Sequence, residues 1–408
     1  HAGDCSAAAG GIPGGVCVKI AVYESRLANL GGGGRHALMA ALALAESHDV
    51  EFWHERPVDS ALFRERWNVS VEGLRMREVP ADDAAVSKMT AGMDGFINAA
   101  QGRFIRPRAS HSAFLSFFPT GVDLSLSGRT RWAAGALIRA AGLGGLLSAR
   151  LRERLRTLPT QSEIQALAAY DAILANSSYT QRWVRHYWHR NSQVLHPPIE
   201  LLQPLPKENL ILHVGRFFVG GHNKKHDVMI DAFRELLARL PASEHWELHL
   251  AGSITPGVDH QAYADRIRDL ASGLPVRIHQ AIDHAALGTL FGRARIYWHA
   301  TGYGADLRRS PDQAEHFGMS IVEAMSAGAV PVVFAEGGPA EIILPGKDGL
   351  VWRTRDALIE NTLELIRRPD RQAAMSAAAI TRSRDFETRA FMRRTRALWD
   401  GIVRAGRT

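Results

Sequence analysis

The run Glu315-His316-Phe317-Gly318-Met319-Ser320-Ile321-Val322-Glu323-Ala324-Met325 joins a loop to a helical pattern that stops at Gly328. Ser320 stands where the helix should start, so the preceding loop puts the amides of Gly318, Met319 and Ser320 at a helix N-terminus. Unpaired N–H groups and the helix dipole favour a phosphate or diphosphate there. Glu315 falls in the loop and Glu323 one turn into the helix, so the two carboxylates can hold opposite ends of one ligand. The same residue types allow a second reading. Ser320-x-x-Glu323 is also a capping box, in which Glu323 only satisfies a backbone donor, and Glu315 is then a solvated loop acid.

Around this run, short apolar strands alternate with helical patterns. Strands are expected at 210–214, 247–251, 276–279, 295–299 and 330–334, with helices at 228–240, 263–271, 285–291 and 320–327. Nearly continuous apolar strands between helices imply a parallel sheet covered on both faces. The strand at 210–214 ends in Gly215-Arg216, and Lys224 and Lys225 precede the next helix. A guanidinium can fork two phosphate oxygens and a lysine adds a point charge, although a solvated basic loop fits the same residues.

The N-terminal half repeats the alternation, with strands expected at 16–23, 94–97, 113–118, 171–175 and 193–195 and helices at 36–45 and 179–188. The glycine run 31–34 joins the first strand to the first helix. It lacks a P-loop ending, and His36 occupies the last glycine position of G-x-G-x-x-G. Close backbone approach of Gly33 and Gly34 to an anion or sugar and a simple flexible turn fit alike. Pro197, Pro198, Pro204 and Pro206 make a stiff connector and mark a boundary. The expected organisation is a flexible tail at 1–15 and Rossmann-like α/β domains at 16–200 and 205–387. A C-terminal helix within 388–408 packs back on the first domain. Two doubly wound domains of this kind can face each other across a cleft.

Composition agrees with two globular domains: 408 residues, 46% hydrophobic and 22% charged. No apolar run reaches the length needed to span a bilayer. Cys5 and Cys17 share no CxxC spacing, so no disulfide framework or cysteine zinc site is expected, and a reducing cytosol is the default compartment. The chain carries +7, and residues 103–156, with ten arginines against Asp123 and Glu153, carry +8. Within it, 129–156 reads as a basic amphipathic segment for an anionic membrane surface, and packing against the N-terminal core accounts for its leucines as well. His222 and His226 lack a third ligand for a metal. Arg182, Trp183, Arg185, Tyr187, Trp188 and Arg190 read as a half-buried amphipathic helix rather than a nucleic-acid surface.

Taken in order, these features resemble the retaining nucleotide-sugar transferases of glycosyltransferase family 4, which have the GT-B fold. The markers are Gly31-Gly32-Gly33-Gly34-Arg35-His36, Asn176-Ser177-Ser178-Tyr179-Thr180 and Gly215-Arg216-Phe217. They continue with Lys224 nine residues before Phe233, the Glu315/Glu323 pair and Gly337-Gly338-Pro339-Ala340-Glu341-Ile342. The resemblance runs from Val16 onward and is densest over 210–350. The form Glu315-His316-Phe317-Gly318 looks most like branches that include lipid-linked oligosaccharide mannosyltransferases.

The resemblance implies a retaining, metal-independent hexosyltransferase that moves mannose or a similar sugar from a GDP- or UDP-linked donor to a glycan or lipid-linked acceptor. It implies no cofactor, metal or nucleic-acid partner and a place in the cytoplasm, peripheral on the membrane face. By similarity, Arg216 and Lys224 hold the diphosphate, Glu315 the transferred sugar and Glu323 the ribose. Ala281 and Ile282 lie where the base rests. Gly33, Gly34, Gly215, Lys225, His316, Phe317, Gly318, Met319 and Ser320 complete the donor site. One position departs from the pattern. Aligned on Phe118-Pro119-Thr120, the family's histidine falls on Phe117, and His111 stands at the other end of that strand. This keeps open a non-catalytic nucleotide-sugar-binding member and a sugar-nucleotide epimerase as alternatives.

Overall fold

Strands that are apolar on both faces need a helical layer on each side, and each half of the chain is built that way. The computed structural model describes residues 17–125, 128–130, 133 and 159–406. The expected tail at 1–15 lies outside the described residues, as does the amphipathic segment 129–156 apart from 129, 130 and 133. The chain divides into two units, one running to His196 and resuming at Phe391, the other Pro197–Ala390.

The N-terminal unit contains β1 (Lys19–Tyr23), β2 (Asp49–His54), β3 (Arg75–Glu78), β4 (Gly95–Asn98), β5 (His111–Ser116), β6 (Ala172–Ala175) and β7 (Gln193–Val194). Their order is β3-β2-β1-β4-β5-β6-β7, every pair parallel. The C-terminal unit contains β8 (Glu208–Val214), β9 (Glu247–Ala251), β10 (Val276–His279), β11 (Ala294–His299), β12 (Val330–Phe334) and β13 (Leu350–Trp352). Their order is β10-β9-β8-β11-β12-β13, again all parallel. In both sheets the order reverses beside the first strand, which opens a crevice at the carboxyl ends of β1/β4 and of β8/β11. Side chains alternate between two cores as the pleat requires: Ile20 and Val22 enter one, Ala21 and Tyr23 the other.

Two expectations are corrected here. The helix read from His36 begins at Gly32 and runs to Ala45, with Gly31 as its N-cap, so the glycines form a first helical turn rather than a link. A Cβ on Gly33 would stand 2.8 Å from the Phe117 ring, so the glycine admits that ring against the helix. Cys17 is disulfide-bonded, against the expectation of no disulfide. β2 and β3 escape the apolar-run reading because β2 carries a buried acid. The Glu51 side chain, only 4% exposed, accepts from Trp53 Nε1 at 2.9 Å, Arg75 at 3.1 Å and Arg77 at 3.0 Å.

The closing helix, Thr388–Ala405, buries Phe391, Trp399 and Ile402 in the core that holds Ile20, Leu38 and Ile97. Gly95 makes room for the indole, since a Cβ there would lie 2.4 Å from Trp399. No helix among the described residues is long and apolar enough to cross a membrane. Trp399→Ala should destabilise the N-terminal unit by about 3–5 kcal/mol. Urea unfolding followed by near-ultraviolet circular dichroism checks this, and a loss below about 1 kcal/mol would show that the helix end is not part of that core.

Candidate active site

The carboxyl end of β8 turns sharply at Gly215. A Cβ on Gly215 would meet Lys224 Cγ at 2.4 Å, and one on Gly252 would meet the Gly215 carbonyl at 2.1 Å, so both glycines are required by close approach. His226, buried, stacks on Phe217 with ring centroids 4.1 Å apart and sets Nε2 3.2 Å from the Gly215 carbonyl oxygen. It therefore braces the loop and is unavailable as a partner for His222. Lys225 takes a left-handed conformation (φ 60°) as N-cap of the helix His226–Arg239, and its amide donates to Asn223 Oδ1 at 2.7 Å. Arg216 is exposed, with its guanidinium 5.5 Å from the centre of the Phe218 ring and no ion pair among the described residues.

Across the crevice, after β11, the Glu315 loop is fixed by its backbone. Gly338 N donates to the Glu315 carbonyl at 2.7 Å. A Cβ on Gly337 would meet that carbonyl at 2.3 Å, and one on Gly338 would meet Phe317 Cα at the same distance. The phenyl ring of Phe317 packs edge-on against Phe386. So held, Glu315 receives Lys224 Nζ at 2.5 Å on Oε2. His299 Nε2 and the Thr301 hydroxyl lie 3.3 Å from the same oxygen, and His222 Nε2 lies 3.6 Å from Oε1. Burial alone would push this carboxyl up. The Lys224 charge and the hydrogen bonds from His222 and His299 outweigh it and hold the acid well below the ordinary carboxylate range. Burial keeps His299 neutral at neutral pH, so its Nε2–H tautomer is the one that donates.

The helix that follows is Met319–Ser326, with Gly318 as its N-cap (φ 111°) and no side-chain cap bond. The capping-box reading therefore fails: Ser320 lies inside the first turn and its Oγ accepts from Tyr297 O–H at 2.7 Å. The first amides of this helix follow the Glu315 loop directly, and such unpaired N–H groups at a helix N-terminus attract an anion. His316 sits with its ring 4.9 Å from His222, and its Nε2 lies 3.1 Å from the Asp312 carbonyl. Ala281 and Ile282 line a cavity of about 510 Å³ with His279, Ala286, Thr289 and Leu290. Glu323 projects from the helix Met319–Ser326, one turn in.

Gly33 and Gly34 belong to the other unit, in the first turn of Gly32–Ala45. Phe117 follows β5 directly, with its carbonyl accepting from Thr180 Oγ1 at 3.1 Å and its ring 5.6 Å from His36. Ser177, from the Asn176–Thr180 marker, is the N-cap of Ser178–Trp183 and accepts from Thr180 N.

Residues 202–382 match the family described as Glycosyl transferases group 1. Among curated relatives, the GDP-Man:Man(3)GlcNAc(2)-PP-Dol alpha-1,2-mannosyltransferase of Dictyostelium discoideum is 25% identical over 43% of this chain and 36% of its own length. The D-inositol 3-phosphate glycosyltransferase of Rhodococcus opacus is 27% identical over 63% of this chain and 60% of its own. The chain thus spans about a third of the length of the first mannosyltransferases it matches. Anabaena Alr3699/HepE, solved with UDP, superposes over 94% of this chain and 100% of its own with a TM-score of 0.67 at 14% identity. Sucrose-phosphate synthase from Thermosynechococcus elongatus does so over 95% and 99%, with a TM-score of 0.64 at 15% identity. The fold is the two-domain α/β architecture of the GT-B glycosyltransferases.

Within this matched stretch, His299, Thr301 and His222 are partners of Glu315 that the sequence reading did not assign to the site. The available signal was position: His299 ends the strand expected at 295–299, next to the strand-order reversal. Among the described residues, no group of three His, Cys, Asp or Glu is placed to hold a metal ion.

The depressed pKa of Glu315 gives its contribution to stability a definite sign. Its stabilisation is present above the ordinary value of 4.5 and is lost as pH falls through the depressed folded value. Glu315→Gln should therefore flatten the acid limb of the stability profile below that pH. Melting temperatures from pH 3 to 7 test this, and parallel profiles for parent and variant would refute it.

Proposed function

We propose that the protein is a retaining glycosyltransferase that moves a hexose from a nucleoside-diphosphate sugar to a glycan or lipid-linked acceptor. The observation that carries the reading is the Lys224–Glu315 pair at the carboxyl ends of β8 and β11, beside an uncommitted Arg216. In this reading Arg216 and Lys224 bind the donor diphosphate, and the amides at the start of Met319–Ser326 add partial positive charge. Glu315, ionised, accepts from hydroxyls of the transferred sugar, and Glu323 accepts from the ribose. The base rests by Ala281 and Ile282.

As the bond from the anomeric carbon to the diphosphate breaks, the acceptor oxygen bonds that carbon on the same face. The acceptor proton passes to a departing phosphate oxygen, and a nucleoside diphosphate leaves. Fixed cations then carry the leaving-group charge that a divalent metal carries elsewhere. The names of the relatives point to mannose with GDP, and the ligand of Alr3699/HepE points to UDP. We place the reaction in polysaccharide or glycoconjugate assembly in the cytoplasm, at the membrane face. Phe117 in place of a histidine favours a second reading, a subunit that binds a nucleotide sugar without turning it over.

A thermal-shift screen with GDP, UDP, ADP and dTDP, each without and with magnesium, should show stabilisation by one diphosphate without metal. Lys224→Ala should abolish that shift. Slow hydrolysis of the matching sugar nucleotide should fall at least about 100-fold in Glu315→Ala. A shift with neither hydrolysis nor transfer selects the binding subunit, and no shift with any nucleotide overturns both readings.

A further inference from the structure

The edge of the C-terminal sheet carries a chain of hydrogen-bonded side chains that the Lys224–Glu315 site does not use. Alternate residues of a strand share a face. On one face of β9 and β10, Leu248 and Leu250 enter the core with Phe233 and Trp298, and Val276 and Ile278 pack against it. The other face carries Glu247 and His249 from β9 and Arg277 and His279 from β10, with His249 and Arg277 paired in register. His279 ends β10 and lines the cavity of about 510 Å³ beside Ala281, Ile282 and Thr289.

The hydrogen bonds on this face run in one direction. Arg277 forks onto Glu247, Nε to Oε2 at 2.8 Å and Nη2 to Oε1 at 2.7 Å. That fork, with a bond from His249, holds the Glu247 carboxyl down at about 2, so it is ionised and can only accept. His249 Nε2 lies 3.0 Å from Glu247 Oε2 and therefore carries a proton. Burial lowers the basicity of His249, so at neutral pH the ring holds no second proton and its Nδ1 is an acceptor. His279 Nε2 lies 3.2 Å from that Nδ1, so the proton of His279 sits on Nε2. Burial and the neighbouring His249 keep His279 neutral as well. Its Nδ1 is left as a bare lone pair turned away from His249, with no partner among the described residues. Thr289 adds a second acceptor, because its hydroxyl hydrogen goes to the Ala285 carbonyl at 3.0 Å. Arg293, further along the helix His284–Arg293, is forked onto Glu208.

We propose that His279 selects the base of the donor nucleotide by accepting, on Nδ1, the ring N–H of a lactam base such as uracil, hypoxanthine or guanine. His249 and Glu247 are positioning residues that fix the tautomer of His279. Adenine and cytosine carry an unprotonated nitrogen at the same ring position and would set lone pair against lone pair. The inference rests on the reading that places the base by Ala281 and Ile282; the direction of the hydrogen bonds does not.

Calorimetric titration of the full chain with two isosteric pairs tests this: inosine against adenosine diphosphate, and uridine against cytidine diphosphate. Each pair differs only by oxo for amino and by the ring N–H that accompanies the oxo group. In whichever pair binds, the lactam member should bind at least about 10-fold tighter. His279→Gln offers either an oxygen or an amide NH₂ and should bring the two members within about 3-fold of each other. His249→Met removes the acceptor behind His279, frees its tautomer and should lower the ratio in the same way. A packing role for His249 would instead weaken both members alike. The preference of the parent chain is read without any variant having to fold. Equal affinity within each pair, or preference for the amino member, overturns the inference and leaves the donor-site reading standing. A parent-like ratio in His249→Met overturns the relay. Failure of all four diphosphates and of GDP to bind the parent chain overturns the donor-site reading and the inference with it.

Discussion

A largely enclosed carboxylate at Glu315, its side chain 15% exposed, is the constraint to which much of the C-terminal unit answers. An ionised acid taken out of water needs a cation and further donors close by, or it takes up a proton. Lys224 supplies the cation, and it can reach Glu315 only because residue 215 has no Cβ to displace its stem. The acid in turn stays in the crevice because Gly337 and Gly338 let a second segment lie against its backbone. The glycines at 215, 252, 337 and 338 therefore serve one purpose. They bring two loops from different strands close enough for one ion pair.

The same dependence explains what was legible in the sequence. Strands at 247–251 and 330–334 are found at the bounds read for them, because strands covered on both faces leave a strong apolar signal. β2 and β3 left none, since Glu51 draws Arg75 and Arg77 into a polar edge that alternates poorly. The helix after Gly318 was readable, but its cap was not. Whether Ser320 caps the helix or meets Tyr297 depends on a strand 23 positions away, which no local pattern encodes. His299, likewise, reads as one more residue of a buried strand until the topology puts β11 beside β8.

The two units share a strand order and differ in what they place at the reversal. In the C-terminal unit, cation and carboxylate are paired with each other, leaving Arg216 in surplus. In the N-terminal unit, Glu55 is paired with Arg103, leaving Arg26 and Arg56 in surplus. Each crevice therefore ends with a fixed, neutralised acid and uncommitted guanidinium.

A tight Lys224–Glu315 pair looks at first unsuited to binding an anion, because the lysine is already taken. The hydrogen-bond count removes the difficulty. An ammonium has three donors, and one goes to Glu315 Oε2. The others can serve a phosphate oxygen without breaking the pair. If the lysine swings further toward an anion, His299 and Thr301 still serve the carboxylate, so it is not left as an unpartnered buried charge. Two neutral donors behind one shared cation let the lysine serve a ligand and the acid in the same geometry. In the proposed reading the cluster need not rearrange to take a diphosphate, and such preorganisation is the condition under which fixed charges lower a barrier.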